Sequence, residues 1–429
     1  MSDIITIKDI PKIEGHLTVT VELENEVVKE LRVEATEGIR LVEEILKGKS
    51  YREIPDIASR MCGVCPVIHK VSSTQAVEKA LGIELPEELE YLREILVIGG
   101  HLQSHVLHLF FFVLPDFLGY ESILSMLPKY EKDVKKALKM KKLANIITEI
   151  IGGRAVHPVT PIVGGFSTLP TKHKLESLLR VAKEFKEEAL EAVNLIFSLE
   201  MPSFERKTDY LAVSKEGKIP LLEGNVTLLH GSSFPPEMYH DFIKGIRVPY
   251  STARHYLLRN SESSYMVGAL ARININYKYL SDTAKEFLKT YGLKFPSYSP
   301  FMNNVAQALE IIHFIDEAIS LVEKLIESQP SKNRVDFEIR EGEGVAATEA
   351  PRGLLIHHYK INKHGKVEEA NIITPTAQNL RNLQEDLKKY VPQILDLPRD
   401  KMTLEAEKLV RAYDPCVSCA ARFLKIEST

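Results

Sequence analysis

Alternating apolar and polar positions near the start of the chain predict β structure. Every second residue in 17–23 is apolar, the pattern of a strand with one face on a core. Residues 24–26 are polar and can turn, and apolar positions return in residues 28–33. The first 36 residues are therefore expected to form a β-hairpin.

A helical period replaces this alternation after Gly38. Ile39, Val42, Ile45 and Leu46 recur at spacings of three and four, which places them on one face of a helix. This pattern predicts a first short helix that packs its apolar face on the core.

The longest helical patterns lie in residues 86–200 and predict a central helix bundle. Pro86 suits the start of a helix, and a second long helix is expected over residues 175–199. Between them, residues 152–165 contain glycine and proline throughout. This composition excludes regular structure and predicts a buried loop that joins two long helices.

The second half of the chain mixes strands and helices over residues 208–375. A long amphipathic helix is expected in residues 303–326, and a hairpin should turn at Gly365. Residues 376–422 form C-terminal helices and a metal-binding segment, followed by a tail in residues 423–429. The order predicts an α+β protein with a long central helix bundle and small peripheral sheets, interlocked as one domain over residues 1–429.

Composition is that of an ordinary globular protein and argues against two kinds of partner. Hydrophobic residues make up 44% and charged residues 27%, with a net charge of −4, so no basic footprint for nucleic acid is present. The longest apolar run, residues 106–114, is too short to span a bilayer, and no signal-peptide pattern precedes it. Sparse cysteine confined to CxxC pairs favours a reducing cytoplasm.

All four cysteines fall in two CxxC pairs, Cys62 with Cys65 and Cys416 with Cys419. If the pairs meet, they provide four thiolates, which favour zinc, iron or nickel over magnesium or calcium. On spacing alone, a structural zinc site and a larger metal centre are equally supported. A thioredoxin-like dithiol, which needs one pair, and chance occurrence are further alternatives.

Three histidines in the long helical region also have the spacing of metal ligands. His101, His105 and His108 lie on one helix face. The surrounding segment is strongly apolar and contains no carboxylate among them. This setting favours buried histidines held by hydrogen bonds over a metal site.

Motifs in a fixed order resemble the large, catalytic subunit of nickel–iron hydrogenases. The first pair lies in R-x-C-G-V-C-P-x-x-H at residues 60–69 and the second in D-P-C-x-x-C at residues 414–419. The others are KIEGH from Lys12, GGRxxHP from Gly152, VGxLARxN from Val267, APRG from Ala350 and TPT from Thr374. The motifs extend over residues 12–422, essentially the whole chain, and their wording is most similar to the cytosolic group.

The resemblance implies the hydrogenase large-subunit fold around a buried nickel–iron centre. It makes Cys62 and Cys416 terminal ligands of nickel, and Cys65 and Cys419 bridges between nickel and iron. It also implies CO and cyanide ligands on the iron. Thiolates are soft donors that support redox changes of nickel.

The resemblance also assigns catalytic roles to residues around the thiolates. Glu14 matches the proton-transfer glutamate, and Arg352 the arginine that faces the open side of the metals. Asp414 would pair with Arg352, and Asp116 would be a second partner. His69 would hydrogen-bond a bridging thiolate and orient it.

Further matches concern ligand binding, a second metal and maturation. Thr376 would donate to a cyanide, and Glu43 would ligate magnesium or iron at a second buried site. The usual histidine ligand of that site is replaced by Arg422, which puts the second metal in doubt. A maturation endopeptidase is expected to cut between Arg422 and Phe423 and remove the tail.

Partners follow from what this chain lacks. With all four cysteines assigned to the metals, none is left for an iron–sulfur cluster, so the resemblance implies an iron–sulfur small subunit. No dinucleotide fingerprint is present, and a flavin/NAD(P) or deazaflavin reductase site is expected on another subunit. The alternatives are a structural zinc protein, a hydrogen-sensing relative without turnover and a respiratory complex I relative, although such relatives lack the four cysteines.

Overall fold

The computed structural model describes residues 2–25, 27–38 and 41–421. In this part of the chain the helices are α1 (Val42–Leu46), α2 (Ile54–Ser59), α3 (Pro66–Leu81), α4 (Glu87–Val106), α5 (Leu114–Leu118), α6 (Leu127–Gly152), α7 (Lys172–Phe197), α8 (Tyr239–Phe242), α9 (Ala269–Asn276), α10 (Asp282–Thr290), α11 (Met302–Glu327), α12 (Pro375–Tyr390), α13 (Arg399–Ala412) and α14 (Val417–Ala420). The strands are β1 (Ser2–Ile7), β2 (Leu17–Glu24), β3 (Val27–Ala35), β4 (Pro161–Ile162), β5 (Gly165–Phe166), β6 (Asp209–Ser214), β7 (Asn225–Leu228), β8 (Ser233–Phe234), β9 (Ile243–Ile246), β10 (His255–Leu258), β11 (Tyr265–Met266), β12 (Gly342–Ala350), β13 (Gly353–Ile361) and β14 (Val367–Ile373).

Four long helices, α4, α6, α7 and α11, pack on one another as a bundle. Their apolar residues recur at helical spacing, so each buries a continuous stripe. Sequence signals set the ends: Pro86 precedes α4, and the Thr171 hydroxyl caps α7 by accepting from the Lys174 N–H at 3.3 Å. The expected bundle is confirmed, with small sheets around it.

The apolar part of α4 continues into a π-helical turn at Leu107–Val113 and then into α5. The combined helix Glu87–Leu118 is long and apolar enough to cross a membrane by length and composition, and 83% of its most apolar window is buried within the protein. The stretch is therefore longer than the expected run of residues 106–114. Its packing against α6 and α11 accounts for its hydropathy.

Small antiparallel sheets flank the bundle. The expected N-terminal hairpin is present as β2 and β3, and β1 adds a third strand on β2. A second three-stranded sheet, β12–β13–β14, packs on α3, and its β13–β14 turn includes Gly365 as predicted. In the sheet β11–β6–β7–β8, β11 pairs with β6 in parallel, a pairing that local periodicity does not predict.

Two local expectations were wrong in part. The first short helix covers only Val42–Leu46, and Ile45 is 50% exposed because it faces away from the core; Ile39 lies outside the described residues. The Gly- and Pro-rich segment 152–165 is neither wholly irregular nor uniformly buried, since it contains strand β4 and the start of β5, which pair with each other. Val156 and Val159 are 44% and 43% exposed, since the segment crosses the surface at the end of α6.

Fully buried arginines are held by carboxylates. Arg93 on α4 donates to both carboxylate oxygens of Glu78 on α3 at 2.6 Å. Glu78 also accepts from the Gly164 N–H at 2.7 Å, which ties the irregular segment to the bundle. A buried ion pair of this geometry makes each partner dependent on the other, because a lone buried charge is strongly destabilising.

We expect Arg93→Met to lower the free energy of unfolding by about 3–5 kcal/mol, because Glu78 would remain buried without its cation. Denaturant-induced unfolding of the chain measures this loss. Lys135→Met is the control, since Lys135 pairs with Glu131 in an exposed position, and its unfolding midpoint should hardly move. Equal unfolding midpoints for the two variants would contradict the expected contribution of the buried Arg93–Glu78 pair to stability.

Candidate metal centre

Helix starts position both cysteine pairs. Cys65 immediately precedes α3, where Pro66 occupies the first helical turn, and Cys62 lies in the preceding turn. Cys416 immediately precedes α14, and Cys419 lies within that short helix. In each pair the CxxC spacing places both sulfurs at the beginning of a helix, where backbone N–H groups are free to donate.

The four sulfurs meet in one buried cluster. The Sγ atoms of Cys62 and Cys416 are 3.2 Å apart, those of Cys65 and Cys419 3.6 Å, and those of Cys416 and Cys419 3.1 Å. All four lie within 4.8 Å of one another, and no residue of the cluster is more than 6% exposed. Among the described residues, this is the one group of potential metal ligands brought together at such distances.

The surroundings of the sulfurs are suited to thiolates. The backbone N–H groups of Val64 and Cys65 both donate to Cys62 Sγ at 3.2 Å. Hydrogen bonds from Cys416, Cys419 and Cys62, with a further one from His69, hold the pKa of Cys65 well below its usual range. By contrast, contacts with the other sulfurs and burial raise the pKa of Cys416. A bound cation is therefore required for all four to be ionised together.

Glu14 reaches the cluster through the backbone as well as its side chain. The segments at Glu14 and Cys416 form a parallel β-bridge, and the Val417 N–H donates to the Glu14 carbonyl at 2.9 Å. Glu14 Oε2 accepts from Cys416 Sγ and from the Ser418 N–H, both at 3.1 Å. The residue is half-buried, so the carboxylate connects a buried sulfur with the periphery.

Arg352 and Asp414 form a buried pair beside the sulfurs. Arg352 Nη2 donates to Asp414 Oδ1 at 2.9 Å, and its Nε donates to the Asp414 carbonyl at 2.6 Å. Gln307 donates to the other carboxylate oxygen at 3.1 Å, and Ser104 Oγ lies 3.3 Å from Arg352 Nη1. Burial by itself would lower the pKa of Arg352, but Asp414 and the thiols of Cys416 and the first pair outweigh it and raise that pKa.

Asp116 does not join this pair, contrary to expectation. Its carboxylate forms close ion pairs with Lys12 and Arg411, and no contact with Arg352 is found in the described part of the chain. The reason is its position in the first turn of α5, which directs the side chain toward these two cations. Asp116 therefore links the KIEGH segment to α13.

A small cavity of about 10 Å³ lies against the cluster. Its lining includes Cys65, Cys419, His69, Arg352 and Thr376. The Thr376 hydroxyl accepts from the Cys416 N–H at 2.9 Å, which leaves its own proton to donate into the cavity. The lining is mostly apolar, and the space is about that of one water molecule.

Glu43 lies apart from the cluster. It is half-buried in the first turn of α1 and accepts from the Ile372 N–H at 2.6 Å. Arg422, expected at the same second metal site, and Phe423, expected to follow the cleaved bond, lie outside the described residues. Glu43, the expected ligand of a second metal, therefore lies next to β14.

Each histidine of the long helix makes a hydrogen bond, as expected, although His101 Nε2 and His105 Nδ1 have no partner among the described residues. His101 Nδ1 lies 3.0 Å from the Val97 carbonyl, and His105 Nε2 lies 2.8 Å from Glu310. His108 lies 2.6 Å from the Gln307 side chain. Burial lowers the pKa of His101 to about 3, so this residue is neutral within the bundle.

Sequence reasoning missed the part that Arg272 plays in the site. It is fully buried on α9 and donates to the Ala350 and Pro351 carbonyls at 2.7 and 2.9 Å, directly before Arg352. Its other donors bind Glu310 at 2.6 and 2.7 Å and Glu349 at 2.8 Å. The signal was present in the VGxLARxN motif, but the contact depends on the packing of α9 against the β12–β13 turn.

Close backbone approach supports the same turn. Gly353 has a φ of +125°, and a Cβ added to it would lie 2.5 Å from the Gly268 N. Both features require glycine at this position. Arg272 and Gly353 together fix the backbone on either side of Arg352, which directs the guanidinium toward the sulfurs.

Comparisons with known proteins agree with this geometry. Residues 40–137 and 253–422 match the family described as nickel-dependent hydrogenase. The alpha subunit of sulfhydrogenase 1 from Pyrococcus furiosus is 37% identical over 98% of this chain and 98% of its own length. An F420-non-reducing hydrogenase subunit from Methanocaldococcus jannaschii is 32% identical over 90% of this chain and 98% of its own length.

Solved structures show the same fold. An NAD+-reducing NiFe hydrogenase in its H2-reduced state superposes with a TM-score of 0.87 at 24% identity, over 98% of this chain and 99% of that chain. The NiFeSe hydrogenase from D. vulgaris Hildenborough, in its reduced state, superposes with a TM-score of 0.81 at 23% identity, over 98% and 100%. The predicted large-subunit fold is confirmed.

The chain belongs to the nickel-dependent hydrogenase family and is its large, catalytic subunit. It is an oxidoreductase acting on H2. The four clustered thiols fit the nickel–iron centre of that family. The structural zinc alternative is not favoured, since a zinc site does not call for Arg352, Glu14 and a lined cavity around its thiolates.

We expect Arg272→Lys to lower H2 oxidation by roughly 10- to 100-fold while nickel content stays unchanged. Lysine keeps the charge but cannot hold two carbonyls and two carboxylates in a fixed fork, so Arg352 would shift, and displacements of about 1 Å reduce rates on this scale. Dye-linked H2 oxidation and metal analysis of the holoenzyme measure the two quantities.

Arg93→Lys is the matched control, because Arg93 is equally buried and binds a carboxylate with two hydrogen bonds but does not touch the site. Its activity per nickel should remain near that of the wild type. An equal loss in both variants would assign the effect to general destabilisation of the bundle.

Proposed function

We propose that this chain catalyses reversible heterolytic cleavage of H2, giving two protons and two electrons, and passes the electrons to an iron–sulfur small subunit. The observation that carries the proposal is the four-thiol cluster, in which Glu14 contacts the Cys416 sulfur and Arg352 lies beside the sulfurs. When bound, the nickel–iron centre supplies the Lewis-acid and redox chemistry for splitting H2. The chain's own residues bind it, remove protons and exclude water.

The thiolates divide into two kinds in this proposal. Cys62 and Cys416 would each hold nickel alone, and Cys65 and Cys419 would be shared by nickel and iron. The contact of His69 with Cys65, one of the proposed bridges, supports a difference between the sulfurs. We also propose that the iron carries CO and cyanide and that Thr376, whose hydroxyl oxygen lies 2.9 Å from the Cys416 N, donates to a cyanide.

Glu14 is the proposed first proton acceptor. Its Oε2 lies 3.1 Å from Cys416 Sγ, within the reach required for direct proton transfer. A proton held on this sulfur can pass to the carboxylate and from there toward the exposed side of the residue. The Ser418 N–H on the same oxygen holds the carboxylate in place.

Arg352 is the proposed cation over the reacting side of the site. Its two hydrogen bonds to Asp414 fix the direction of the guanidinium. A buried, immobile cation stabilises negative charge without reorganisation. Asp414 balances this charge, so that the pair remains stable when the thiolates are neutralised by metal.

Other parts of the proposal concern partners and location. We propose that electrons continue from the small subunit to NAD(P), a deazaflavin or a similar carrier on further subunits, in the cytoplasm. Relatives named as subunits of hydrogenases support such an assembly. We also propose Glu43 as a ligand of a second magnesium or iron ion, and removal of residues 423–429 by a maturation endopeptidase.

Metal analysis and infrared spectroscopy of the purified complex test the centre directly. Nickel is expected together with iron in excess of nickel, because the iron–sulfur subunit adds its own iron, and CO and cyanide bands are expected. Zinc in place of nickel, without CO and cyanide bands, would overturn the proposal in favour of a structural site. Nickel and iron without H2 turnover would instead indicate a hydrogen-sensing relative.

We expect Cys416→Ser to abolish H2 oxidation and nickel retention while the chain still folds, because a serine oxygen is a hard, weakly acidic donor that does not replace a thiolate. Metal content and circular dichroism measure the two effects. Ser418→Ala, two residues away, is the control and should keep nickel, since Ser418 contributes its backbone N–H. Nickel retained with full activity in Cys416→Ser would refute the ligand assignment.

We expect Glu14→Gln to keep nickel and iron but to slow H2 oxidation and exchange between H2 and D2O by roughly 10²-fold, because an amide cannot relay the proton. Glu34→Gln, on strand β3 where the carboxylate accepts from Thr20, should exchange at the wild-type rate. Unchanged exchange in Glu14→Gln would exclude this residue as the proton acceptor.

A further inference from the structure

A line of buried hydrogen-bonding side chains leads away from Cys65. His69 contacts Cys65 and its Nδ1 lies 3.1 Å from His357 Nε2. His357 Nδ1 lies 2.6 Å from the Tyr359 hydroxyl, which lies 3.0 Å from Ser73 Oγ. No member is more than 1% exposed, apart from Cys65 at 6%, so solvent does not interrupt the line.

Two secondary-structure periods build this line. His69 and Ser73 are four residues apart on α3 and share a helix face. His357 and Tyr359 are two residues apart on β13 and share a sheet face. Because α3 packs on β13, the line runs from α3 through two residues of β13 and back to α3, and neither element alone predicts these contacts.

A metal-ligating thiolate gives the line a direction. Such a sulfur only accepts, so His69 must donate through Nε2, and its Nδ1 must then accept from His357 Nε2–H. His357 Nδ1 in turn accepts from the Tyr359 hydroxyl, whose oxygen accepts from Ser73. Each group donates toward Cys65, and hydrogen bonds in such a chain strengthen one another.

The charge states of the middle groups agree with this arrangement. Burial, together with the neighbouring His69, holds the pKa of His357 well below its usual range, so the ring is neutral and carries a single N–H. Burial raises the pKa of Tyr359, so the hydroxyl keeps its proton. Both groups are therefore one-proton donors, as the line requires.

We propose that His357, Tyr359 and Ser73 are positioning residues that hold His69 in the Nε2–H tautomer, and thereby keep a hydrogen bond on the Cys65 thiolate. This inference rests on the proposed nickel–iron centre, in which Cys65 is a bridging sulfur. A hydrogen bond on the sulfur reduces the electron density that it donates to the metals. The line thus adjusts the electronic properties of the centre from a distance.

Infrared spectra of the holoenzyme complex test the inference through the CO band of the iron. Removing members of the line weakens the hydrogen bond on Cys65, increases electron donation to iron and shifts the band to lower wavenumber. The expected order of shifts is His357→Leu largest, Tyr359→Phe intermediate and Ser73→Ala smallest. This order distinguishes a chain from a merely structural role, which would not follow distance from the sulfur.

Tyr239→Phe is the matched control. The Tyr239 hydroxyl lies 2.9 Å from Nδ1 of His358, which is the neighbour of His357 on the opposite face of β13. Its variant loses the same atom from the same kind of pair, but His358 continues to the exposed Glu343, 2.6 Å from its Nε2, rather than toward Cys65, so the CO band should stay at the wild-type position.

Two results would overturn the inference: an unmoved band in Tyr359→Phe, or an equal shift in Tyr239→Phe. Tyr359→Phe decides the matter if His357→Leu does not fold, since it removes a single oxygen and keeps the ring. Absence of CO bands from the wild-type complex would instead overturn the proposed centre, and the inference with it.

Discussion

Four sulfur atoms buried within 4.8 Å of one another can all be thiolates only if cations neutralise them. The rest of the site follows from this constraint. The backbone N–H groups of Val64 and Cys65 donate to Cys62 Sγ, and hydrogen bonds from Cys416, Cys419, Cys62 and His69 hold the pKa of Cys65 well below its usual range. In the second pair, Thr376 accepts from the backbone N–H of Cys416, and Glu14 accepts from its sulfur. The protein thus prepares a donor set whose charge is completed by metal.

Buried charge pairs carry this arrangement outward into the fold. The Arg352 side chain is held by Asp414, and Arg272 holds the backbone directly before Arg352 through the Pro351 carbonyl. Arg272 keeps the pKa of Glu310 at about 2 by outweighing the effect of burial, whereas burial of Glu349 prevails and raises its pKa to about 7. Arg272 therefore stabilises the charged form of Glu310 more than that of Glu349. Its hydrogen bonds connect α11 of the bundle with the β12–β13 turn.

The sequence predicted the parts of the fold that depend on local pattern. Helices such as α7 and α11 repeat an apolar stripe over many turns, so their period identifies them. Pairings between distant segments, such as β11 with β6, leave no such local signal. The same division holds in the site. Ordered motifs predicted that Arg352 and Asp414 would meet, whereas the direction of Asp116 depended on where α5 points it.

The residues that sequence reasoning missed are those whose meaning arises only from packing. In the sequence, His357 and Tyr359 are ordinary strand residues. They are connected to Cys65 by hydrogen bonds only because α3 packs against β13. Arg272 lay within a quoted motif, but nothing in its spacing indicated the carbonyls before Arg352.

The bridge between Glu14 and Cys416 joins positions 402 residues apart. At about 5–20 residues per second of synthesis, the second partner is made roughly 20–80 s after the first. During that time the Cys62–Cys65 pair exists with half of its eventual donor set, and Glu14 is present without the sulfur that it contacts in the finished site. Metal selection is therefore also a matter of timing: a cation that arrives early meets a two-sulfur site, and only one that arrives late meets all four.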